Sequence, residues 1–172
     1  MVAGETRVIA LPEWHPMAVH FPLALTVTGA LALSAARAAA PERQGATLAV
    51  VGTWNLCLGA LGALFALGTG LAAVASAELA PAARAAVGLH VKWAIFTSAA
   101  LLLLAVWRGA GTDPKSRPSR TFLVILWVIT AALIVTAYRG GQNVYRYGVG
   151  VESSAELGKL QPEGDDYELE RS

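Results

Sequence analysis

Cysteine and charge are what this chain has least of. Among its 172 residues there is one cysteine, Cys57, and only 15% are charged, against about 25% in a soluble globular domain. A single cysteine excludes an intrachain disulfide, a CxxCH haem attachment and a zinc knuckle. Thirteen Lys and Arg against twelve Asp and Glu leave a net charge of +1. There is thus no basic surplus to hold a phosphate backbone, and nucleic acid is excluded as a partner. Also missing are a glycine-rich phosphate loop, an HExxH pair and a serine–histidine–aspartate set. The apolar stretches contain no carboxylate of the kind an ion pump uses. A non-catalytic or electron-transfer subunit is expected, rather than an enzyme by itself.

What is present points to lipid. Hydrophobic residues make up 55% of the chain and the mean hydropathy is +0.53. Seventeen glycines and five tryptophans also suit a membrane. Charges divide the sequence into four apolar stretches, at 16–36, 46–75, 85–107 and 121–138. Each nears or exceeds the roughly 20 residues that a helix needs to cross about 30 Å of hydrocarbon. No alternation with period two suggests strands. The fold class is therefore all-α, an integral membrane four-helix bundle over residues 1–151 with both termini on one side. The stretch before the first span carries Glu5 and Glu13 beside Arg7, a poor signal-peptide n-region, so that span is expected to be retained.

Orientation follows from cation density. The short loops 37–45 and 108–120 carry Arg37, Arg43, Arg108, Lys115, Arg117 and Arg120. The much longer opposite side carries Arg7, Arg84, Arg139, Arg146, Lys159 and Arg171. The denser loops are expected in the cytoplasm, with both termini periplasmic and the chain multi-pass in a bacterial inner membrane. Small residues recur every fourth position at Ala24, Thr28, Ala32 and Ala36, and again at Gly62, Ala66 and Gly70. They predict close helix packing. Cys57, within the second span, reads as a small apolar filler.

All three histidines fall on one side of the bundle. His15 and His20 open the first span, His90 lies early in the third, followed by Lys92 and Trp93, and the fourth ends there at Arg139-Gly140-Gly141, before Arg146. A b-type haem takes two neutral imidazoles from two helices, and His20 with His90 supplies such a pair. His15 is the alternative ligand, since five positions turn it about 140° from His20. Lys92, Arg139 and Arg146 are placed to pair with haem propionates. Two other readings stand beside this one. The histidines and tryptophans form interfacial anchors bonded to carbonyls, with Lys92 snorkelling to the headgroups, or His15, His20 and His90 bind copper or zinc.

The motif His15-Pro16-x-x-Val19-His20-Phe21-Pro22, then His90, then Gly140-Gly141-x-x-Val144-Tyr145-x-x-Gly148-Val149-Gly150-Val151 resembles a bacterial family of small four-helix membrane proteins of unknown function. The resemblance covers roughly residues 11–151. It implies association with membrane electron-transfer systems, since such proteins occur as, or fused to, their parts, c-type cytochrome domains included. In that pattern a histidine often precedes the last Gly-Val-Gly-Val. Tyr147 stands there in this chain, so the resemblance implies one haem and not two.

From residue 152 to 172 the sequence turns acidic and is expected to form a flexible tail. It would steer a basic partner such as a c-type cytochrome to the outer face, or simply solubilise the chain. The functional expectation is a subunit of a respiratory or photosynthetic electron-transfer complex, beside other membrane subunits, holding one b haem. The alternative is a cofactor-free structural or assembly subunit.

Overall fold

The computed structural model describes residues 14–39, 42–77 and 79–151; the acidic tail and residues 1–13 lie outside them. The elements are α1 (His15–Ala18), α2 (His20–Ala38), α3 (Glu42–Ser76), α4 (Pro81–Ala110) and α5 (Arg120–Tyr147). α1 and α2 form one span, since Val19 between them keeps helical angles and donates its N–H to the His15 carbonyl. Among the described residues four spans are therefore long and apolar enough to cross a membrane, and the chain is an all-α multi-pass membrane protein.

The helices outrun the apolar stretches that announce them. At 35 residues α3 is about 52 Å long, well beyond the hydrocarbon thickness, so its ends reach the headgroups. α5 runs straight through Gly140-Gly141, where the sequence suggested an end, and stops at Gly148. That residue takes a left-handed φ of 63°, and its N–H and that of Val149 return to the Asn143 and Val144 carbonyls, closing the last turn. At the other end of α5, Ser119 caps the helix by accepting the Phe122 N–H at 3.1 Å.

Packing follows a closed ring in which α2 touches α3 and α5, and α4 touches α3 and α5. The diagonal pairs do not pack together among the described residues. α2 buries Pro22, Thr26, Gly29, Leu33 and Ala36, and α3 answers with Gly45, Ala49, Gly52, Leu56 and Gly59. Both rows alternate steps of three and four, the seam of a left-handed bundle. Glycine sets the approach. A Cβ on Gly52 would lie 2.6 Å from Leu33 Cγ and 3.0 Å from the Gly29 carbonyl oxygen. The small-residue stripe of the first span is thus out of register with the sequence expectation. Only Ala36 of that set is buried, while Ala24 and Thr28 face outward.

Arg108 corrects another expectation. As a sequence feature it is a loop charge, yet it is 2% exposed. Nε donates to Thr53 Oγ1 at 3.1 Å, Nη1 to the Thr112 and Ser116 hydroxyls, and Nη2 to the Pro114 and Ser116 carbonyls. The planar fork thereby pins the 111–119 connection onto α3 through neutral acceptors. Arg37 donates to the Pro118 carbonyl and Arg117 to the Ala39 carbonyl, tying the two connections at this end to each other.

Candidate functional site

The opposite end of the bundle gathers a different set of polar groups. Pro16 sits in the first turn of α1, where its missing N–H costs nothing. The phase of that turn brings His15 against α3. His15 Nδ1 lies 2.9 Å from the Ala66 carbonyl oxygen and 3.4 Å from Thr69 Oγ1. On α4, His90 continues the inward row of Ala83 and Val87. Its Nδ1 lies 3.1 Å from the Thr136 carbonyl oxygen of α5. A carbonyl oxygen only accepts, so in each ring Nδ1 carries the proton and the neutral ring keeps its lone pair on Nε2. Both rings are half-buried. Their parent helices, α1 and α4, do not pack on one another.

Glycine makes room for both rings. A Cβ on Gly70 would come within 2.7 Å of His15 Cε1, and one on Gly140 within 3.1 Å of His90 Cε1. This is the physical reason that α5 carries Gly140 in mid-helix, despite a propensity cost of about 1 kcal/mol. The Thr97 and Thr136 hydroxyls lie 3.5 Å apart next to His90, and each also bonds its own helix.

The Arg139 guanidinium lies over the Trp93 ring at 5.5 Å from its centroid, a cation–π arrangement that holds it against α4. Arg139 Nε and, one turn on, Gln142 Oε1 are buried with no hydrogen-bond partner among the described residues. The described carboxylates, Glu42 and Asp113, belong to the arginine end. The groups this end offers to a ligand are the Nε2 atoms of two neutral imidazoles and the Arg139 guanidinium.

Of the candidate residues, the structure brings His15, His90 and Arg139 to this end of the interior. His20, Lys92 and Arg146 are exposed. His20, expected to pair with His90, follows Val19 on the exposed side of the first span, and the alternative ligand His15 takes the inward position. Among the described residues no three His, Cys, Asp or Glu side chains come together. Shallow pockets beside Arg43–Leu48 and beside Val74–Arg84 touch neither ring. Ala66, Thr69, Gly70 and Thr136 were not anticipated as neighbours of the histidines. In the sequence Ala66 and Gly70 stand out only as small residues of the second span, and Gly140 only as part of an expected helix end.

Comparison with known proteins agrees with this architecture. The family model described as "Predicted membrane protein (DUF2231)" matches residues 12–153, and the chain belongs to that family, whose function is unknown. No curated protein and no solved structure matches the chain.

Proposed function

We propose that this membrane protein is a subunit of an electron-transfer complex and binds one b-type haem at its histidine end, where His15 and His90 would hold the iron. One observation carries the reading. Two histidines from helices that do not pack together each give Nδ1–H to a backbone carbonyl, which fixes the ring and leaves Nε2 as a ligand atom. Two neutral imidazoles held in this way are the donor set of a low-spin b haem. The bound group would supply one-electron transfer near one membrane face. Ala66 and Thr136 orient the ligands. Gly70 and Gly140 admit the rings, and Arg139, steadied by Trp93, places a positive charge suited to a propionate. A c-type cytochrome at that face and other membrane subunits of a bacterial inner-membrane complex are the partners this role calls for.

A reduced-minus-oxidised visible spectrum of the purified full-length protein tests the proposal. The expected result is a b-type spectrum near one equivalent, lost in His15→Ala and in His90→Ala and kept in His20→Ala. Loss in His20→Ala alone would overturn the ligand pair.

The same hydrogen bonds favour one competing reading. Each joins two helices, α1 to α3 and α4 to α5, and each ring rests directly on glycine backbone. In a cofactor-free structural subunit these contacts are helix ties. That reading predicts a colourless, folded protein in which either histidine substitution lowers stability without spectral change.

A further inference from the structure

The outer surface of the α2–α3 pair holds a polar group that the rest of the bundle leaves uncompleted. Asn55 is half-buried at about 20 Å along α3 from Glu42 and about 30 Å from Ser76, which puts it within the hydrocarbon. Its Nδ2 donates to Thr28 Oγ1 at 3.2 Å. Thr28, exposed on α2, already gives its own proton to the Ala24 carbonyl at 2.8 Å. One amide N–H and Oδ1 of Asn55 remain without a partner among the described residues. At this depth neither lipid nor water completes them, and polar groups of this kind are a recognised adhesive between transmembrane helices. Trp127, an outward polar side chain on α5, is finished within the chain: its Nε1 donates to Ser34 Oγ, and Ser34 donates to the Ala30 carbonyl.

We infer that this face is the contact between two copies of the chain, related by a two-fold axis normal to the membrane and joined by reciprocal Asn55–Asn55 hydrogen bonds. Such an axis brings a residue opposite its own counterpart at equal depth. A side chain carrying both a free donor and a free acceptor is therefore its own complement. The surroundings allow the approach. Ala24, Thr28 and Ala35 on α2 present small exposed side chains, and Val51 and Leu58 flank Asn55 along α3 as exposed apolar contacts. This contact is independent of the histidine end.

Sedimentation equilibrium of the full-length protein in density-matched detergent, over a range of protein-to-detergent ratios, tests it. The wild type should sediment with the mass of two chains. Asn55→Leu, which adds apolar surface where lipid would otherwise lie, should weaken association at least roughly tenfold while the helical circular dichroism signal persists. Thr28→Val should weaken it less. Val51→Cys in a Cys57→Ala background keeps Asn55 and should give a covalent dimer on oxidation. A monomeric wild type, an Asn55→Leu protein that dimerises as the wild type does, a dimer that fails to cross-link through position 51, or a different polypeptide bound stoichiometrically over Asn55 would each overturn the inference.

Discussion

The two ends of the bundle handle buried polar groups in opposite ways. At one end Arg108 brings a full charge into the protein, and five hydrogen bonds to hydroxyls and carbonyls use up its guanidinium. At the other, the two histidines each spend one nitrogen on a backbone carbonyl and hold the other back. Arg139 Nε and Gln142 Oε1 lack partners there among the described residues. A completed network has nothing left with which to bind a ligand. An incomplete one costs stability and retains chemistry. The arginine end is therefore the clasp of the fold, and the histidine end is where binding is to be sought.

Substitutions ranked by effect sharpen that contrast. The largest loss is expected for Arg108→Ala, which strands Thr53 Oγ1 and the loop carbonyls. About 3 kcal/mol or more should disappear from stability measured by thermal or denaturant unfolding in detergent. Arg108→Lys should recover only part of it, because a point charge does not reproduce the fork. Next comes Gly70→Ala, whose new methyl would meet the His15 ring at 2.7 Å. A loss of about 1–2 kcal/mol is expected, together with a shift in the His15 imidazole NMR resonances. His15→Ala and His90→Ala each remove one interhelical hydrogen bond and should cost about 1 kcal/mol in the same unfolding assay. His20→Ala and Lys92→Ala change exposed side chains and should stay within about 0.5 kcal/mol of wild type. If His20→Ala proved more damaging than Arg108→Ala, the division between the ends would fail.

Much of this was legible in the sequence. Charge spacing was enough for four spans and for the gathering of histidines at one end, because alternate helix ends must share a face. Side-chain direction was less accessible. His15 and His20 differ by a helix phase that depends on which side of the first span meets α3, and only the packing of Gly29 against Gly52 settles that. Arg108 misled for a related reason. A cation at a span boundary has the appearance of a topology signal, and its acceptors, Thr53 and Ser116, come from a distant helix and from the connection after α4. Gly140-Gly141 reads locally as a helix end. The pair sits inside α5, with Gly140 beside the His90 ring, a contact made by a different span.

The reach of Arg108 to Thr53 also bears on how the protein is made. α2 with α3 and α4 with α5 are antiparallel hairpins formed by neighbours in the chain, the first of them the more closely packed. The hydrogen bond from Arg108 to Thr53 runs from the later hairpin to the earlier one. Until the first hairpin is in place, this guanidinium lacks the one acceptor that α3 supplies, while its other acceptors belong to the connection after α4. In the assembly of the bundle that bond is a latch, which closes only when both hairpins are present.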